Sequence, residues 1–182
     1  MQQILSLTDG PEVTLDQMLQ TRDLRARNQR QWLVKHNMPL ISLTLVVPGS
    51  IKYSSGAQYL FNTALHNIEN TCHTHNFLIA AKQNFSTVCG YEALLSVQAD
   101  AAQLKAICIE LEEKHPLGRL WDIDIICPHK GIISRQTTEF NARPCLVCEE
   151  DAHACARSRK HSLLELIKVI EEKINAFQCC PK

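Results

Sequence analysis

Apolar residues recur along this chain with two periods, and the switches between them mark out its elements. Residues 40–47 alternate. Ile41, Leu43, Leu45 and Val47 share one face, and Ser42 and Thr44 share the other, which predicts a half-buried strand. Pro48-Gly49 stops it. Ala57, Leu60, Phe61, Ala64, Leu65 and Ile68 then fall at helical spacing and predict a helix over 56–75. Two strands are expected at 77–82 and 88–98, separated by a polar turn near Asn84-Phe85-Ser86. Leu104, Ile107, Cys108 and Leu111 predict a helix over 100–114, and Trp121, Ile123, Ile125 and Cys127 alternate on the strand that follows. Gly131 is expected to turn that strand into a short one at 132–136.

Helical patterns flank this run. Residues 14–36 are rich in Ala, Leu, Arg and Gln; Thr14 and Gln17 fit a capping box, and the run ends before Pro39. Leu163, Leu166, Ile167, Ile170, Ile174 and Phe177 predict a last helix over 163–177, with Ser162 and Glu165 as its capping box. Residues 137–160 are polar, carry several cysteines and have little periodicity.

The order from 40 to 127 is therefore β-α-β-β-α-β. We expect an α+β, ferredoxin-like sheet in the order 4-1-3-2 with both helices on one face. An N-terminal helix and a C-terminal Cys-rich loop plus helix are appended. The 182 residues suit a single domain made of an N-terminal helical segment (1–39), an α/β core (40–136) and a Cys-rich segment with its helix (137–182).

The chemistry concentrates on the last core strand. Asp122 and Asp124 are two residues apart, so they share a face about 7 Å from one another along the strand. Such a pair repels itself unless a cation sits between. Mg²⁺, a hard cation held by carboxylates and substrate phosphates, is the natural candidate; a solvated acidic face is the plainer alternative. His115-Pro116-Leu117-Gly118-Arg119 forms the turn that leads into this strand. In the first helix Arg22, Arg25 and Gln29 share a face, which is either a solvated polar stripe or an oxyanion clamp.

Cysteines form the second concentration. Cys145, Cys148, Cys155 and His161 follow a C-x2-C-x6-C-x5-H spacing, compatible with a structural zinc, with His153 as a competing ligand. The alternative is a set of buried thiols packing the C-terminal piece. Cys72, Cys89, Cys108 and Cys127 fall on predicted helices and strands and are expected in the core.

Composition removes some classes. The formal net charge is zero, which argues against nucleic-acid binding through bulk positive charge. The open sheet face carries Ser42 and Thr44 rather than stacking aromatics, which argues against RNA. No run of 18 apolar residues exists, so no membrane span is expected, and the N-terminus lacks the pattern of a secretory signal. Nine cysteines, an odd number in a chain that is not small, point to a reducing, cytoplasmic setting rather than a disulfide framework.

Four stretches carry a family resemblance. They are Arg22, Asp23, Arg25 and Gln29; Pro48-Gly49 with Lys52; Glu110 and Glu112 running into His115-Pro116-Leu117-Gly118-Arg119-Leu120-Trp121-Asp122-Ile123-Asp124; and Arg143, Cys145-Leu146 and Cys148 with Cys155, Arg157 and His161. In these the chain resembles the holo-citrate lyase synthases, also called apo-citrate lyase phosphoribosyl-dephospho-CoA transferases. The resemblance covers nearly the whole chain and is most specific in the third stretch.

It implies a nucleotidyltransferase-type reaction. A phosphoribosyl-dephospho-CoA group moves from 2′-(5″-triphosphoribosyl)-3′-dephospho-CoA to a serine of the citrate lyase acyl carrier protein (gamma) subunit, and pyrophosphate leaves. On this reading Asp122 and Asp124 hold Mg²⁺, Arg119 and Lys52 bind the triphosphate, and Arg22 and Arg25 clamp the remaining phosphates. His115, Glu112 or a metal-ligating aspartate takes the serine proton. The carrier of malonate decarboxylase is a competing acceptor, and a non-catalytic zinc-containing adaptor for a carrier protein is the alternative to an enzyme.

Overall fold

The computed structural model describes residues 4–134 and 143–179. Five strands form one antiparallel sheet: β1 (Leu40–Leu45), β2 (Leu78–Thr87), β3 (Gly90–Gln98), β4 (Trp121–Cys127) and β5 (Gly131–Ile133). Their order across the sheet is β2-β3-β1-β4-β5. The helices among the described residues are α1 (Leu15–His36), α2 (Ser55–Thr74), α3 (Ala101–Lys114), α4 (Ala152–Ser158) and α5 (Leu163–Cys179), with a 3₁₀ turn at Gly118–Leu120. The described part of the strand expected at 132–136 is β5; 135 and 136 lie outside the described residues, as does the tail from 180.

Local signals account for most boundaries. The Thr14 hydroxyl accepts from the Gln17 amide and the Gln17 side chain accepts from the Thr14 amide, so the expected capping box starts α1. Asn37 ends it in the left-handed conformation. Asp100 caps α3 through the Ala102 and Gln103 amides, and Glu165 N–H donates to Ser162 Oγ at the start of α5.

Two elements differ from the expected pattern. The hairpin turn is at Val88-Cys89, not near Asn84-Phe85-Ser86, and β2 runs straight through the latter. Lys82, Gln83, Asn84 and Ser86 are polar because β2 is an exposed edge strand, and polarity there imitates a turn. Gly90, at φ 111°, takes the backbone position that closes the hairpin. The second is α4, a helix inside the stretch that shows no periodicity. Cys155 is its one buried side chain, so seven residues leave no stripe to read.

The core lies between one sheet face and α2, α3 and α5. Ile41, Leu43, Ala93, Leu95, Ile123 and Ile125 point into it from the strands; Leu60, Ala64, Ile68, Leu104, Cys108, Ile170 and Ile174 meet them from the helices. Cys72 and Cys108 are buried as expected, but Cys89 sits in the hairpin turn and Cys127 is half-buried. The opposite face is not open as expected. α1 crosses it, with Trp32 and Leu33 packed on Leu40, Leu94 and Ile126. Burial of those three apolar strand residues is what draws the helix onto the sheet.

Candidate active site and cysteine centre

The face beneath α1 is polar beyond that apolar contact. Register places Ser42 opposite Asp124 and Thr44 opposite Asp122 on neighbouring strands. Asp122 is half-exposed and accepts from Thr44 Oγ1 at 3.4 Å. Burial, and then the charge of Asp122, push the Asp124 carboxyl above the usual carboxylate range. The two aspartates therefore share a face, as their spacing predicts.

The arginine face of α1 lands on this surface. Gln29 Nε2 donates to the buried Ser42 hydroxyl at 2.9 Å, and Arg25 Nη2 pairs with Glu92 Oε1 at 2.6 Å. Arg22 is exposed one turn nearer the start of the helix.

Glu112 has a different place from a solvent-facing base. It is 1% exposed, on the α3 side of β4. Among the described residues β5 pairs with β4 only from Ile125 onward, and no described strand lies beside the outer edge of Ile123. Glu112 Oε1 accepts the Ile123 amide at 3.0 Å, and the buried Lys105 ammonium donates to the Ile123 carbonyl at 2.9 Å. Two ionisable side chains thus complete the edge of the aspartate strand, where unpaired backbone groups would be costly. Gly118 is pressed against this point; a Cβ there would collide with the Glu112 carbonyl oxygen.

Arg143 joins the two sides. One guanidinium nitrogen bonds Glu112 Oε1 at 2.5 Å and the other reaches Asp122 Oδ1 at 3.5 Å. Sequence reasoning gave Arg143 no role; the available signal was an arginine two residues before a C-x2-C pair, and only the fold brings it to the carboxylates.

His115 does not reach the carboxylates. Its Nδ1 accepts the Leu117 amide at 3.0 Å, and its ring packs on Trp121 and Phe177. Burial lowers its pKa from the ordinary value. It shapes the turn that carries Arg119. Arg119 bonds the Pro144 carbonyl and lines a cleft of about 690 Å³. Val47 and Pro48 line another wall, and Lys52 donates to the Val47 carbonyl; burial lowers the pKa of Lys52. The cleft is largely apolar, with Arg119, Arg159, His161 and Ser162 as its polar lining.

Cys145, Cys155 and His161 form another wall of that cleft. The ligand atoms of Cys145, Cys148, Cys155 and His161 lie within 4.8 Å of one another, so this group could hold a metal such as zinc. His153, the competing ligand by sequence, is exposed on α4 and outside the group. Burial raises the Cys145 pKa, but the backbone amides of Val147 and Cys148 and the neighbouring thiols outweigh it and bring it down to about 7. Cys155 moves the other way, to about 12, through burial and its thiol neighbours.

The model of one protein family, described as apo-citrate lyase phosphoribosyl-dephospho-CoA transferase, matches residues 13–177. The chain belongs to that family. A relative from Vibrio cholerae serotype O1, named "Probable apo-citrate lyase phosphoribosyl-dephospho-CoA transferase", is 39% identical over 92% of this chain and 95% of its own length. One from Escherichia coli O1:K1, with the same name lacking the qualifier, is 38% identical over 92% of each. The transferase class read from the motifs is thereby borne out, and the match takes in α1 and reaches into α5 as well as covering the sheet. No described helix of this apo-citrate lyase transferase family member is long and apolar enough to cross a membrane.

Proposed function

We propose that this chain transfers the phosphoribosyl-dephospho-CoA group of 2′-(5″-triphosphoribosyl)-3′-dephospho-CoA to a serine of the acyl carrier (gamma) subunit of apo-citrate lyase. The serine oxygen forms a bond to the α-phosphorus, the bond to the leaving pyrophosphate breaks, and the hydroxyl proton passes to a base. The observation that carries the reading is the grouping of Asp122 and Asp124 on one face of β4 with Arg143 beside them, in a chain matched to the family from 13 to 177.

Asp122 and Asp124 suit a hard divalent cation: they share a face, and Asp124 is pushed up by burial and then by the charge of Asp122, both of which a cation would offset. Bound there, Mg²⁺ would neutralise charge on the transferring phosphate. Arg143 already adds positive charge at Asp122. Arg119, at the cleft, is assigned to the triphosphate, with Lys52 setting the wall beside it. Arg25 and Arg22 on α1 are assigned to the remaining phosphates, Arg25 exchanging Glu92 for an oxyanion. Glu112 is sealed by two hydrogen bonds and His115 is turned into the core, so an aspartate of the pair is the better candidate for the serine proton. His115 positions the Arg119 turn.

The same reading takes the β4-β1-β3-β2 part of the sheet as ferredoxin-like, extended at one edge by β5; its support is the antiparallel order of those four strands. The cytoplasmic setting expected from the cysteines goes with it.

Intact mass spectrometry of the apo acyl carrier subunit, incubated with this protein, the donor and Mg²⁺, tests the reading. A gain equal to the prosthetic group, lost with EDTA, supports both transferase and metal. No gain, with donor and carrier verified by another synthase, overturns it. Binding of the carrier without any gain would return the choice to the zinc-containing adaptor, and a gain on the malonate decarboxylase carrier alone would change the acceptor.

A further inference from the structure

Three consecutive residues run from the cysteine centre to the aspartate strand, and each is tied to a different part of the fold. Cys145 belongs to the Cys₃His set. The Pro144 carbonyl accepts from Arg119, at the entrance to β4. Arg143 bonds the buried Glu112 and reaches Asp122. The backbone repeats the connection. Cys145 N–H donates to the Glu150 carbonyl at 2.7 Å and Ala152 N–H donates to the Arg143 carbonyl at 3.0 Å, so the segment is stitched to the loop that bears Cys148 and to the start of α4, which bears Cys155.

The ligand set is built for a metal rather than for packing. Cys148 Sγ lies 3.5 Å from Cys155 Sγ and 3.3 Å from His161 Nε2. His161 Nδ1 faces Glu165 Oε2 at 3.6 Å, the carboxylate partner that orients a metal-binding imidazole and leaves Nε2 for the ion. Three sulfurs and one imidazole nitrogen favour zinc, in a closed four-coordinate shell, over hard cations.

α4 buries one side chain, Cys155, and has seven residues, too few to stand alone as a helix. We infer that the Cys145, Cys148, Cys155 and His161 set binds one structural Zn²⁺, and that this ion holds Arg143 on Glu112 and Asp122. Arg143 is thereby a positioning residue whose place is set by a metal on the other side of Pro144. The inference rests on the proposed transfer only for the consequence in activity; the metal and its grip on Arg143 stand independently of it.

The test uses the full chain purified without chelator. Elemental analysis is expected to find one zinc per chain, and exchange for Co²⁺ to give thiolate charge-transfer bands with the intense visible bands of tetrahedral cobalt. A zinc-free chain, or an octahedral cobalt spectrum, overturns the site. Hydrogen exchange then compares metal-loaded and metal-stripped wild type. The Cys145 and Ala152 amides are expected to lose at least about tenfold of their protection on stripping, while those of β1 and β3 keep theirs. Unchanged protection at Cys145 and Ala152 overturns the link to Arg143.

A double-mutant comparison adds the functional arm. His161→Ala and Arg143→Lys each lower transfer by about tenfold or more, and the double variant is no worse than the poorer single one, because both remove the same placement. Multiplying losses would overturn the coupling. If wild type transfers nothing, the proposed function fails, and the zinc content and exchange data still decide this inference.

Discussion

Glu112 Oε1 accepts two hydrogen bonds at once, from the Ile123 amide at 3.0 Å and from Arg143 at 2.5 Å. One buried oxygen therefore closes the edge of the aspartate strand and anchors the arginine that reaches Asp122. Structure and chemistry meet at this residue.

Glu112→Ala removes the acceptor from a buried amide and leaves Arg143 without its nearer partner. Breaking a buried pair in this way is expected to cost about 3–5 kcal/mol. Glu112→Gln keeps an acceptor for Ile123 and should cost clearly less. Urea unfolding reads the difference as a shift in midpoint at constant slope. Equal losses in the two variants would show that the Ile123 hydrogen bond contributes nothing.

Gly118→Ala forces a methyl group against the Glu112 carbonyl oxygen. Overpacking of this kind is expected to destabilise by about 1–3 kcal/mol. Because the displaced atoms belong to the Glu112 backbone, the effect should be smaller when placed on top of Glu112→Ala than in wild type. Thermal unfolding of the four proteins in that cycle checks it.

Asp122 is half-exposed, so Asp122→Asn should leave the midpoint of unfolding within a few degrees of wild type. Transfer to the carrier is expected to fall by at least about a hundredfold, because the carboxylate is assigned to hold the cation. Intact mass of the carrier over a time course measures it. A fully active Asp122→Asn protein would falsify the metal assignment.

Burial lowers the His115 pKa in the folded chain. The unfolded chain then takes up a proton first as the pH falls. Nothing is lost above the unfolded pKa of about 6.5; stability declines from there as the pH drops, and levels out below the depressed folded pKa. His115→Gln should remove that part of the slope. The measurement is the wild-type minus variant difference in unfolding free energy between about pH 7.5 and the start of acid unfolding; a difference independent of pH would contradict the burial argument.

Much of the fold and part of the site are legible in the amino-acid sequence. The capping residues Thr14 and Ser162 and the two periods of apolar residues place the main helices and strands, because these signals act over three or four residues. The shared face of Asp122 and Asp124 follows from strand geometry alone, and the arginine face of α1 from helical spacing. The Val88-Cys89 turn does not follow, since an exposed edge strand and a turn are equally polar.

The tertiary structure decided the partners. Leu40, Leu94 and Ile126 come from three different strands, and only their assembly makes the apolar patch that seats α1 on the aspartate face. Glu112 reads as an acid on a helix until the described part of β5 stops short of Ile123 and leaves an edge for it to close. Arg143 is 21 residues from Asp122 and 31 from Glu112, beyond the reach of any local rule. Sequence by itself determined which groups can do chemistry and which face of an element each occupies, because backbone geometry repeats locally. Which of them meet was decided by the burial of distant apolar surfaces, a property of the whole chain.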